Sequence, residues 1–236
     1  MSITSALASA NTGLSAASAR ANIVSSNIAN ALTPGYAKRS VDVSENVLDG
    51  KGAGVTVNGI VRATDPAITR ALRSASADLA HEQEIASVTS KINAALGDSE
   101  DAYSLFGQFE QFETTLRTLS QSPESQAMQN AVVDSAKSLA NTLNDLAALV
   151  QLYRQDADSK TAKKVDLINL RLSEIAALNG EISAASAGGR DATALEDQRK
   201  TLIDQISMMI PVREVPRGAG KIDLITNEGV FLIAGK

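Results

Sequence analysis

Ser25-Ser26-Asn27-Ile28-Ala29-Asn30-Ala31-Leu32-Thr33-Pro34-Gly35-Tyr36 is the stretch where a long apolar repeat stops and the chain turns. Before it, apolar or small residues recur at Ile3, Leu7, Ala10, Leu14, Ala17, Ala21, Val24 and Ile28, in alternating steps of four and three. That is the spacing of a coiled-coil seam, so the segment predicts a helix that wants a partner. Ala10, Ala17 and Ala21 let backbones approach closely but bring little apolar area, at ~25 cal/mol per Å² buried. Such a helix is marginal alone and is expected to be disordered in a single chain and to order on assembly. Thr33-Pro34-Gly35 ends it, because the residue before proline leaves the α region and Pro-Gly suits the centre of a type II turn. Gly35 is therefore expected at positive φ. Asn27 and Asn30 share one helix face, where their amides can bond neighbouring chains, fix the turn, or cap the helix.

The totals fit this beginning. The chain has 236 residues, 44% of them hydrophobic but only 3% aromatic, with no Trp. That composition suits long helices packed side by side, and the fold class expected is mainly α. A net charge of -5, from 22 Lys plus Arg against 27 Asp plus Glu, argues against a nucleic-acid binder. There is no Cys and a single His, His81, so no catalytic, cofactor-binding or metal residues are expected. The N-terminus lacks the pattern of a cleaved secretory signal, and no run of ~18 apolar residues exists for a membrane insertion.

Beyond the turn, Val41 and Val43 alternate with Ser40 and Asp42 as in a half-buried strand. A Gly-rich loop, Gly50 to Gly54, separates them from Val55, Val57, Ile60 and Val61, giving an extended, hairpin-like connector. Asp65-Pro66 caps the next helix, which Ile68, Leu72, Ala75 and Leu79 carry onward as far as Gly97. Asp98-Ser99-Glu100-Asp101 reads as another helix start, followed by a core stripe of Leu105, Phe109, Phe112, Leu116 and Leu119. Ser122-Pro123-Glu124 is the clearest start signal, with serine as N-cap and proline at N1. The helix it opens, of some sixty residues, would span ~90 Å. Gly188-Gly189 breaks it, Thr193 to Met209 returns as helix, and after Pro211 the pattern turns to strand. Four segments are expected: residues 1–35 as a heptad helix, 36–63 as connector, 64–210 as a bundle of long helices, and 211–236 as the start of a β-rich domain. The last contains Gly218-Ala219-Gly220-Lys221, a turn and not a phosphate loop.

At Ser26-Asn27-Ile28-Ala29-Asn30, followed by Thr33, Gly35 and Tyr36, the sequence resembles the N-terminal signature of bacterial flagellar axial proteins, the family of rod, hook and hook-associated subunits. Rod and hook members pass from this motif into mainly β domains, whereas here long helices follow, so the resemblance is to the hook-associated branch. Val61 to Arg73, Ser122-Pro123-Glu124 and Leu195-Glu196-Asp197-Gln198-Arg199 match as well. The family commonly carries Leu-Asp-Gln-Arg at the last site, making Glu196 an insertion or a shift of register.

The resemblance implies a structural subunit of the flagellum at the junction of hook and filament, with the eight signature residues as an assembly motif. Residues 1–35 would line an inner tube, residues 36–62 would contact neighbouring subunits near its base, and the helices from Asp65 to Met209 would form a middle layer. The implied partners are further copies in a ring or tube, the hook protein, and the third hook-associated protein or filament side. Secretion through the flagellar export apparatus, with an export chaperone, is implied too. The family's C-terminal heptad helix and chaperone site have no counterpart up to Lys236, so the chain is expected to be the N-terminal portion of a longer protein. The alternatives are a sister axial protein (flagellin, the third hook-associated protein or a hook subunit) and, further off, a helical effector or enzyme. Against an enzyme, no paired acid and base can be named.

Overall fold

The computed structural model describes residues 3–48 and 50–234. The outermost residues of the expected first and last segments, 1–2 and 235–236, and Asp49 in the connector, lie outside them. The chain is mainly α and divides into two compact units, one made of residues up to 78 with those from 167 onward, the other of 79–166.

The first unit opens with α1 (Ile3–Ala29), which lies against an antiparallel hairpin of β1 (Arg39–Leu48) and β2 (Lys51–Arg62). Val41 pairs with Ile60 and Val43 with Val57, both valines facing inward as the alternation requires; Asn58 is the extra residue of a bulge between them. The glycines are not a loop. Only Gly50 belongs to the turn, and Gly52 and Gly54 sit inside β2. The reason is the helix above: a Cβ on Gly54, at φ +108°, would stand 2.3 Å from Thr12 Oγ1 and 3.1 Å from the Ser9 Cα. Without a side chain there, α1 comes close enough for the Val55 N–H to donate to Thr12 Oγ1 at 3.2 Å.

The docked face of α1 runs through Ser9, Thr12, Ala16, Ala19 and Ile23, with Ala16 buried. The seam lies on the other side, and all eight of its positions are exposed, Leu7 and Leu14 each to 70%.

The core of this unit sits between the C-terminal part of α4 (Gln126–Ala187), α5 (Thr193–Ser207) and a three-stranded antiparallel sheet in sequential order, β3 (Val212–Pro216), β4 (Ile222–Thr226) and β5 (Phe231–Ile233). Ile175, Ile203, Ile206, Val212, Ile222, Leu224 and Ile233 form one buried cluster. Each such side chain contributes roughly 1.5–3 kcal/mol on burial. The strands after Pro211 therefore share a core with the helices before it. The start of α2 (Pro66–Leu96) is capped by Asp65, whose Oδ1 accepts from the N–H groups of Ala67 and Ile68 at 2.8 and 3.2 Å.

The second unit holds the remainder of α2, α3 (Leu105–Gln121) and the N-terminal part of α4. The acidic run at 98–101 does not start α3. Asp98 and Asp101 accept from the N–H groups of Glu100 and Tyr103 in tight turns, and Ser104 is the cap, its Oγ accepting from the Gly107 N–H at 3.0 Å. Likewise Ser122 closes α3 instead of opening α4, which begins at Gln126 after one turn. The Ser-Pro-Glu signal is spent on that turn. The apolar stripe of α3 is also rotated: the half-buried line is Gln108, Phe112, Thr115 and Leu119, while Phe109, expected in the core, is 55% exposed. Small hydroxyls set this face, with Thr115 Oγ1 2.8 Å from Ser135 Oγ on α4.

Candidate functional site

At the end of α1 the backbone closes by short-range bonds that the sequence specifies. Asn30 donates from Nδ2 to the Ser26 carbonyl at 3.0 Å, and Thr33 Oγ1 donates to Asn30 Oδ1 at 3.3 Å. The Tyr36 N–H then reaches the Thr33 carbonyl at 3.2 Å, with Gly35 at φ +84°. Pro34 and Gly35 thus occupy the central positions of a turn whose second centre is left-handed, the type II pattern. A further constraint is external, since a Cβ on Gly35 would stand 2.3 Å from Thr201 Oγ1 on α5. The turn is pressed against that helix.

Asn27 holds the returning chain. Its Nδ2 donates to the Arg39 carbonyl and its Oδ1 accepts from the Arg39 N–H, both at 2.9 Å, so one side-chain amide pairs with a single residue at the start of β1. The same Oδ1 accepts from the Tyr36 hydroxyl at 2.9 Å. Arg39 is thereby fixed in main chain and side chain, its guanidinium 4.8 Å from the Tyr36 ring centroid.

From there the guanidinium reaches α5. Arg39 Nη2 donates to Asp197 Oδ2 at 2.8 Å, and Arg62, at the end of β2, donates from Nε to Asp197 Oδ1 at 2.9 Å and from Nη1 to Glu196 Oε2 at 3.2 Å. The side chains of Arg39, Arg62 and Asp197 are only 13%, 14% and 11% exposed. Charges removed from water to this degree hold position because each meets its opposite at hydrogen-bond distance. Both ends of the hairpin are tied to one carboxylate.

A second asparagine repeats the device. Asn179 on α4 donates to the Ile222 carbonyl at 2.8 Å and accepts from the Ile222 N–H at 3.3 Å, pairing with the first residue of β4 as Asn27 pairs with the first of β1. Arg199 Nη1 donates to Asn179 Oδ1 and to the Gly220 carbonyl, each at 2.7 Å. Burial pushes the Arg199 guanidinium below its usual range.

Of the signature residues, then, Asn27 and Tyr36 meet in the clamp, Asn30, Thr33 and Gly35 build the turn, and Ser26 supplies a carbonyl to it. Ile28 and Ala29 point outward, next to the exposed seam of Ile3, Leu7, Ala10, Leu14, Ala17, Ala21 and Val24. Arg39, Arg62 and Asp197 carry as much of the joint, but nothing in the periodicity marks them. Their signal was weaker: Arg62 and Asp197 lie in the two stretches, Val61 to Arg73 and Leu195 to Arg199, that share the family resemblance. Helix α5 runs through Glu196 unbroken. Among the described residues no group of His, Asp and Glu is placed to hold a metal ion, and no helix is long and apolar enough to cross a membrane.

Comparison with known proteins finds matches toward both ends of the chain. The family model described as the flagellar hook-associated protein FlgK helical domain matches residues 89–236, and the flagella basal body rod protein model matches residues 7–36, which carry most of α1 and the turn. Flagellar hook-associated protein 1 of Salmonella typhimurium is 30% identical over 233 residues, covering 96% of this chain and 42% of that protein. Its counterpart in Escherichia coli K12 is 28% identical over 240 residues, covering 99% and 44%. The chain thus spans less than half the length of these relatives. The solved structure of the flagellar hook junction protein FlgK from Burkholderia pseudomallei superposes with a TM-score of 0.63 at 22% identity, over 70% of this chain and 29% of that one, which establishes a shared fold. With the helical-domain match alone spanning more than half of its residues, the chain belongs to the flagellar hook-associated protein FlgK family.

Proposed function

We propose that this chain is the N-terminal part of a structural subunit that joins hook to filament in the bacterial flagellum, and that it assembles with copies of itself in a ring or tube through α1. The observation that carries the reading is the division of α1 into two faces: one docked on the hairpin, the other a continuous seam left open to solvent. A helix that exposes Leu7, Leu14, Val24 and Ile28 on one stripe is built to bury them against neighbours. Residues 1–35 take the role of inner tube, 36–62 that of base contact, and the helices from Asp65 to Met209 that of middle layer, with the strands after Pro211 packed onto those helices. Its partners are the hook protein on one side and the third hook-associated protein or filament on the other. The chain reaches the site through the flagellar export apparatus, with an export chaperone as a further partner. The role is structural and not catalytic.

Leu7→Asp together with Leu14→Asp tests this. Both side chains are solvent-exposed in the single chain, so the purified double variant should unfold within about 0.5 kcal/mol of the parent. In cells it should abolish junction formation and motility, because charges cannot enter a dry seam. Normal filaments on normal hooks in that variant would overturn the reading.

A further inference from the structure

A cleft of about 210 Å³ in the first unit lies among the start of α2, α5 and β3, and its charge is unbalanced. Arg62, Arg70, Arg73, Arg199, Lys200 and Arg213 line it. Arg62, Arg73 and Lys200 have carboxylate partners: Glu196 and Asp197 for the first, Asp204 and Glu214 for the second, Asp204 for the third. Arg70, Arg199 and Arg213 form no ion pair among the described residues. Arg199, 7% exposed, hydrogen-bonds only neutral oxygens, and burial lowers its pKa although Glu214 and Glu196 lie near enough to oppose the shift, since neither pairs with it directly. Arg73, 6% exposed, keeps a buried Nη2 with no acceptor. Buried donors and cations left in this state are costly until an anion arrives. Arg70 and Arg213, both exposed, flank the opening into a second cleft beside it.

The complementary charge is present in the same sequence. Asp98, Glu100 and Asp101 place three carboxylates in four residues at the turn before α3; all are exposed, and none forms an ion pair among the described residues. Asp98 and Asp101 each use one oxygen to bond the backbone of their own turn, leaving the other for a partner.

The geometry points to the Arg70–Arg213 cleft as a docking site for carboxylates of a second copy of this chain, presented by its turn at 98–101. The inference rests on the reading that copies assemble. It makes the contact heterologous, cleft to turn, and such contacts propagate around a ring or along a tube instead of closing at a dimer.

The test uses full-length protein in isolated junctions; residues 1–236 contain no cysteine, and any cysteine beyond them is first replaced by serine. Arg213→Cys combined with Glu100→Cys, treated with a short thiol–thiol cross-linker, should give a ladder of dimers, trimers and higher species. Each single variant should give none. Arg70→Glu with Arg213→Glu should cut the yield of junctions by at least about tenfold, since like charges facing each other cost several kcal/mol. Adding Glu100→Lys and Asp101→Lys to the same chain should restore it. A missing ladder in otherwise normal junctions, unchanged yield after the first reversal, or failure of the second to restore it would overturn this inference alone. A parent protein absent from isolated junctions would overturn both this inference and the proposed function.

Discussion

Asp197→Ala is expected to destabilise the first unit by about 3 kcal/mol, measured as a fall in the urea midpoint with the slope unchanged. Two guanidinium groups, Arg39 and Arg62, hydrogen-bond this one carboxylate, and all three side chains are largely withdrawn from water. Its removal leaves two adjacent cations with a single partner between them, Glu196, which reaches only Arg62. The cost is dominated by the stranded charges and not by the lost contacts. Glu113→Ala is the control. Its pair with Arg117 is exposed on both sides, 78% and 62%, and should contribute less than about 0.5 kcal/mol. If both substitutions have similar small effects, the ion group does not hold the hairpin to α5.

Gly35→Ala should cost roughly 2–3 kcal/mol, from two separable causes. An L residue at φ +84° costs about 1–2 kcal/mol. The remainder is steric, because the new Cβ would stand 2.3 Å from Thr201 Oγ1, which must give up its 3.0 Å bond to the Asp197 carbonyl to make room. Thr201→Ala in the Gly35→Ala background should recover about 1 kcal/mol, the steric share, and leave the conformational share in place. Full recovery would mean that the turn tolerates alanine and that positive φ is not what glycine supplies here. In cells the single variant should impair junction assembly, since the turn fixes how α1 lies on the hairpin and hence where its seam faces.

How much of this could be read from the sequence depends on the range over which each signal acts. The turn is local: Pro34, Gly35 and the residues around them specify it by dihedral preference, and the structure forms it as expected. The Asp65 cap and the interruption-free length of α4 are local too. What failed were positions where a neighbour distant in sequence decides. Gly54 looks like a loop residue until α1 is laid over β2. Phe109 fits an apolar stripe, but the contact face of α3 is chosen by Thr115 and Ser135, twenty residues apart. Asp197 meets Arg39 across 158 residues, a separation over which no periodicity carries information. The seam was legible as a seam. Only the structure shows that the opposite face of the same helix is already occupied.

The account turns on one claim, that α1 is docked on one face and waits for partners on the other. Amide exchange measures it most directly, in a sample proven monomeric and again in assembled junctions. In the monomer, residues 3–28 should exchange at least roughly a hundredfold faster than the amides of Ile203 and Ile206 in the buried core of α5, then become protected on assembly. Protection of residues 3–28 equal to that of α5 in the proven monomer would show a helix that needs no neighbours, and would contradict the account.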